Sequence, residues 1–240
     1  MNWVNLLLFV ALTLPACKTK ITSGMSREVF EGSLTYLVYN ENAASHSKKT
    51  ASVPTDTLRI SIHGNCYLIE TCNTVHKKVL LYRGDENRLY SMYSSGEDVY
   101  CTLFDASIDE QFAQTGKATQ VHSVDSTFVK NNRTCRKLLI YTENNRLSYY
   151  YSPGFLPANP EAFEEHFMAA LSTCLMKSNC WPVAVENTDS TGQTSYYELI
   201  QTNFLTLPEQ IFIPPVLIPA DELQPPGIGT KQLYKVIKHK

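Results

Sequence analysis

From Phe30 to Phe204 apolar and polar residues alternate in short runs, each broken by turn-forming residues. A period of two predicts β-strands with one buried and one wetted face. Thr57 to His63 shows it most cleanly, with Leu58, Ile60 and Ile62 on one face and Thr57, Arg59, Ser61 and His63 on the other. Gly64-Asn65 then marks a hairpin turn into Cys66 to Cys72. The same pattern predicts strands at 30–39, 77–83, 88–93, 98–104, 119–130, 134–142, 146–151, 181–186 and 194–204. About eleven strands with turns at this regular spacing describe an antiparallel meander.

One stretch breaks the pattern. In Asn159 to Met176, the residues Phe163, Phe167, Ala170, Leu171, Cys174 and Leu175 recur at helical spacing. Asn159 is a candidate N-cap, Pro160 suits the first helical position, and Glu161, Glu164 and Glu165 put negative charge at the positive end of the dipole. The fold expected is therefore mainly β, a curved antiparallel sheet with one main amphipathic helix packed on a face. Residues 107–116 read as a short helix or loop. The proline-rich run from Ile211 to Pro226 should be extended and poor at pairing, and the last residues a basic tail.

The N-terminus adds a compartment. Val4 to Leu14 is apolar but too short to span a bilayer, so residues 1–16 read as a signal peptide. Leu14-Pro15-Ala16-Cys17 resembles a bacterial lipobox, which makes Cys17 the expected lipidation site, with an ordinary secretory cleavage near Ala16 as the alternative. Residues 17–27 would then be a lipid-anchored tether, 28–215 the folded domain and 216–240 a proline-rich, then basic, tail. In the Bacteroidetes-type lipoproteins that this end resembles, surface display goes with acidic residues just after the lipidated cysteine; Lys18 and Lys20 stand there instead, so the resemblance implies the periplasmic side over the cell surface.

Charge narrows the function classes. Net charge is −2, with basic residues scattered, which gives no electrostatic case for nucleic acid. Of seven cysteines, six remain if Cys17 carries lipid. In an exported chain an even number reads as disulfides, with Cys174–Cys180 and Cys101–Cys135 as candidate pairs and buried thiols as the alternative. No CxxC or Cys/His spacing points to a metal, and GxSxG, HExxH, the P-loop and GxGxxG are all absent from the sequence. His166, beside Glu165, reads as sitting at the edge of the apolar stripe, and the other histidines as surface groups. The expected function is therefore binding, without an enzymatic activity, cofactor or metal.

Several segments carry a resemblance. Phe30-Glu31-Gly32-Ser33-Leu34-Thr35-Tyr36, the meander, Thr134-Cys135-Arg136-Lys137, a tyrosine-rich strand, one helix, Trp181-Pro182-Val183-Ala184-Val185-Glu186 and Ile211-Phe212-Ile213-Pro214 resemble exported Bacteroidetes lipoproteins similar in architecture to the lipoprotein-sorting proteins LolA and LolB. The resemblance implies a half-barrel whose concave face, partly covered by the helix, accepts a hydrophobic or acyl ligand. Candidate cavity residues are Phe163, Phe167, Leu171 and Leu175 on the helix stripe, with Tyr149 and Tyr151, which share a strand face with Leu147. The competing reading is a filled core in a lipoprotein that docks a protein partner along Ile211 to Pro219.

Overall fold

Left-handed residues set the hairpins at which the strands turn. Gly64 and Gly96 have positive φ at two turns, and Asn131 and Asn132 both do at a third, the backbone that a two-residue type I′ turn demands. The computed structural model describes residues 28–41, 54–71, 78–107, 117–219 and 233–236. Cys17, Cys72 and the N-terminal segments lie outside them, so the signal peptide, lipidation and tether are not placed.

The strands are β1 (Gly32–Glu41), β2 (Asp56–His63), β3 (Cys66–Thr71), β4 (Lys78–Arg83), β5 (Arg88–Ser95) and β6 (Asp98–Asp105). Then come β7 (Gln120–Lys130), β8 (Arg133–Tyr141), β9 (Arg146–Tyr151), β10 (Ala184–Thr188) and β11 (Thr194–Phe204). These are the eleven expected from alternation. Two more, β12 (Leu217–Pro219) and β13 (Leu233–Val236), extend the sheet past residue 215. One open antiparallel sheet results, in the order β12-β13-β6-β5-β4-β3-β2-β1-β11-β10-β9-β8-β7. The prolines leave β12 three residues long at the edge, where a missing donor costs least.

The sheet is strongly curved. Between β3 and β9 lie five strand spacings, roughly 24 Å on a flat sheet, yet Ile69 of β3 and Tyr149 of β9 line one cavity. Irregularities at Thr35/Tyr36 in β1 and between Val124 and Phe128 in β7 supply part of the bend. Gly32, at φ +140°, enters β1 where a Cβ would lie 1.9 Å from the Asn203 carbonyl oxygen of β11. Gly32→Ala is expected to destabilise by about 1–3 kcal/mol from backbone strain alone, more with the clash, read as a lower urea midpoint. An unchanged midpoint would show that β1 and β11 do not meet there.

The largest buried cluster lies on the concave face, where Leu34, Tyr36, Ile62, Tyr67, Tyr82 and Leu89 pack against Phe163, Leu175 and Trp181. Leu138, Ile140, Leu147, Tyr149 and Tyr151 continue it against Ala170 and Cys174. On the opposite face Cys66, Leu81, Tyr90 and Cys101 are covered by Phe212. Arg83 Nη1 donates to the Phe212 carbonyl at 3.1 Å, and the His63 ring stacks on Phe212 at 5.8 Å.

The helical segment differs from expectation. Pro160–Phe163 and Met168–Ala170 form 3-10 turns, and the α-helix proper is α1 (Leu171–Ser178). The break has a local cause: Ala169 and Ala170 are both left-handed, and the Phe167 N–H donates to the Ala106 carbonyl instead of continuing a helix. Pro160 does stand in the first turn, but Asn159 makes no side-chain cap bond.

The disulfide expectations are also corrected. Cys66, Cys101, Cys135, Cys174 and Cys180 are all thiols. Cys101 on β6 and Cys135 on β8 are nine positions apart in strand order and belong to different clusters. Cys174 and Cys180 share a cluster, but Ser178 Oγ donates to the carbonyls of both, and the left-handed Asn179 turns the chain between them. Burial pushes the Cys174 and Cys101 thiols up to about 12, so both stay protonated.

Candidate functional site

Inward side chains from strands far apart in the sheet converge beside α1 and leave a cavity of about 260 Å³. Leu58 and Ile60 of β2 with Ile69 of β3 form one wall; Leu147 and Tyr149 of β9 with Val185 of β10 form the other. Met168, Ala169 and Leu171 of the helical segment close it, with Trp181 and Pro182 from the stretch after α1. Trp181 is fixed there because its N–H donates to the Leu156 carbonyl and the Val183 N–H to that of Tyr150. Tyr36, Tyr67, Tyr197 and Asn187 complete the lining, and no charged residue belongs to it.

Three of the lining phenols serve as struts from the sheet to the helical segment and the stretch that follows it. Tyr36 donates to the Pro182 carbonyl at 2.7 Å, Tyr149 to the Ala169 carbonyl, and Tyr67 bonds His166 Nε2 at 2.6 Å. Burial raises the pKa of all three, so they stay neutral and act as hydrogen-bonding groups only. The Tyr149 bond ends on a left-handed residue, which ties the kink in the helical segment to the sheet.

His166 is not at the edge of a stripe. The kink turns it inward to 0% exposure, where its ring meets Tyr82 edge-on at 4.5 Å and Nδ1 has no partner. Desolvation lowers its pKa to about 4, so it is neutral near pH 7. Its ring contacts are the aromatic side chains of Tyr67 and Tyr82, and it does not line the cavity. It is a core histidine tying α1's approach to β3.

Of the six cavity candidates, Tyr149 and Leu171 line the cavity. Phe163, Leu175 and Tyr151 are packed in the core around it. Phe167 is half-buried beneath the Lys117 ammonium, 4.7 Å from its ring centre. Tyr36, Tyr67, Trp181, Asn187 and Tyr197 are lining residues that sequence reasoning did not select. Alternation marks Tyr36 and Tyr67 as inward through their neighbours Leu34 and Ile69; Asn187 reads as a turn residue, and β10 runs one residue past it.

Tyr150, as its alternation requires, takes the opposite face. Its hydroxyl donates to Glu186 Oε1 at 2.9 Å, and the Lys130 and Lys137 ammonium groups lie 3.6 and 3.8 Å from the same carboxylate. These charges are half-buried on the convex side, away from the cavity. Among the described residues no group of three His, Cys, Asp or Glu side chains could hold a metal ion, and no helix is long and apolar enough to cross a membrane.

Fold and cavity together define a curved, open antiparallel sheet holding a small apolar chamber beside one short helix. Two solved structures of PNGF-II, in space groups C2 and P21, are similar to it at TM-scores of 0.46 and 0.44, each with 9% identity. They cover 75% and 76% of this chain, which spans only 29% and 30% of theirs. The LolA superfamily protein NE2245 from Nitrosomonas europaea is similar at a TM-score of 0.38 and 9% identity, over 78% of this chain and 91% of its own. No protein-family model matches the chain, and no curated protein does.

Proposed function

We propose that the chain is a binding protein, without enzymatic activity, that holds a hydrophobic ligand in the concavity of its sheet. The observation that carries this reading is the cavity: apart from Asn187 its lining is aliphatic and aromatic, with no charged residue. Walls of Leu, Ile and Trp favour an apolar occupant over water, and apolar walls with a few polar groups are the usual composition of small-molecule sites. The proposal extends to export and attachment to a membrane through Cys17, periplasmic side inward, on the strength of the leader and lipobox-like residues.

Native mass spectrometry of the full chain, before and after organic extraction, tests the ligand. A lipid-sized mass lost on extraction is expected, and the emptied protein should take up the neutral dye N-phenyl-1-naphthylamine. Ile69→Trp, which fills the cavity from β3, should weaken that uptake by at least about tenfold while the fold persists. A bare mass with no dye uptake would rule the reading out. It would then favour the partner-docking alternative, for which Ile211, Ile213, Val216 and Ile218 form a run of exposed apolar side chains.

A further inference from the structure

The lining decides more than that the ligand is apolar. We propose that it is a single-chain amphiphile with an uncharged, hydrogen-bonding headgroup, of the monoacylglycerol kind, and that Asn187 and Tyr197 hold that headgroup. This rests on the hydrophobic-ligand reading above and sharpens it.

Charge restricts the headgroup. A carboxylate or phosphate drawn into the cavity would meet no Lys, Arg or His in the lining. Lys130 and Lys137 face the convex side and are engaged with Glu186, and His166 lies outside the lining, its Nε2 taken by Tyr67. Burying an ion without a partner costs several kcal/mol, whereas a hydroxyl or ester that finds a hydrogen bond costs little. The cavity therefore discriminates against ionised heads.

Size restricts the tail. At about 260 Å³ the cavity falls just under the low end of small-molecule sites, which run from roughly 300 to 1,000 Å³. That size favours one acyl chain over two.

Hydrogen bonding places the head. Tyr36, Tyr67 and Tyr149 have committed their hydroxyls to the protein, whereas among the described residues the Tyr197 hydroxyl forms no such bond. Tyr197 pairs with Val185 in the ladder between β10 and β11, so Asn187, two residues on, shares its face one diagonal step away. Asn187 Oδ1 accepts from Asn145 Nδ2 at 2.9 Å. Asn145 is itself 7% exposed, and its own Oδ1 is buried with no donor. Tyr197 and Asn187 form the polar corner of an otherwise apolar chamber, where a neutral head that donates as well as accepts finds partners.

Titration of the full, delipidated chain with 1-monododecanoylglycerol, didodecanoylglycerol and dodecanoate, at mildly alkaline pH and below micelle-forming concentrations, tests the proposal through Trp181 emission. The monoacylglycerol is expected to bind at least about tenfold more tightly than the ionised acid, with the diacyl compound weaker than either chain length would suggest. Tyr197→Phe and Asn187→Leu should each narrow the gap between monoacylglycerol and acid about threefold or more. Tyr197→Phe keeps the packed ring, so it reports even if Asn187→Leu fails to fold. Equal binding of acid and monoacylglycerol, or a gap that Tyr197→Phe leaves unmoved, would overturn the headgroup proposal alone. Loss of all binding, dye included, would overturn the hydrophobic-ligand reading with it.

Discussion

Phe163→Ala is expected to lower stability by about 3–5 kcal/mol, a fall in Tm of roughly 6–20 °C for a domain of this size. Phe163 is 1% exposed, and its ring lies 5.3 Å from that of Trp181, 5.7 Å from Tyr82 and 6.3 Å from Tyr67. Truncation removes the apolar transfer term and the ring contacts at once, and leaves a void whose walls belong to three different elements. Because β3 and β4 are held by their ladders and Trp181 by its backbone bond to Leu156, these walls cannot collapse fully into the gap. Phe167→Ala is the control. That ring is half-buried under Lys117, so the change should cost less than about 2 kcal/mol. Differential scanning calorimetry of the two variants decides the matter. Equal losses would mean that the helical stripe continues through both positions and that the break at Ala169 and Ala170 does not exist in solution.

The second large effect is on acid stability. His166 has a folded pKa of about 4 against a reference of 6.5, because burial disfavours its charged form. Between those two values the unfolded chain binds a proton that the folded chain refuses. Stability attributable to this residue is therefore intact above pH 6.5 and falls as pH drops toward 4, by up to about 3 kcal/mol. The groups facing the ring are the Tyr67 hydroxyl and the edge-on Tyr82 ring, both uncharged, with Glu165 next to it in sequence, so no buried carboxylate offsets the loss. His166→Gln can keep a hydrogen bond to Tyr67 without titrating. Its urea midpoint should decline less than that of the parent between pH 6.5 and 4, and the difference cancels the carboxylates common to both. Parallel declines would show that His166 is solvated.

The strands were legible because each needs only local information: alternation for the faces and Gly or Asn for the turns. Leu58, Ile60 and Ile62 face inward as their spacing requires, and Tyr149 and Tyr150 part to opposite faces. The helical segment was not legible, and the reason is specific. Ala169 and Ala170 break it, and alanine is the residue with the strongest helical preference; only the pull of Ala106 on the Phe167 N–H and of Tyr149 on Ala169 makes a left-handed pair there tolerable. Likewise β12 is three residues long among prolines and β13 only four, and they are strands because β13 pairs along the edge of β6 and β12 along β13. At the site, Tyr149 and Leu171 followed from face and spacing. Asn187 and Tyr197 did not, since whether two strands meet at a cavity depends on curvature that no local pattern encodes.

The position of β1 has a kinetic consequence. It lies between β2 and β11, so its ladder partner on one side is the neighbouring hairpin and on the other a strand from the far end of the fold, as in the contact of Ser33 with Asn203, 170 residues apart. While the chain is being synthesised, the meander from β1 to β6 can assemble early, but its β1 side stays an open strand edge until β11 emerges. Closing so long a loop is slow, and an open edge invites pairing with the wrong chain. Productive folding is therefore a race won only after most of the polypeptide is complete, and the incomplete chain is the form most in need of a chaperone.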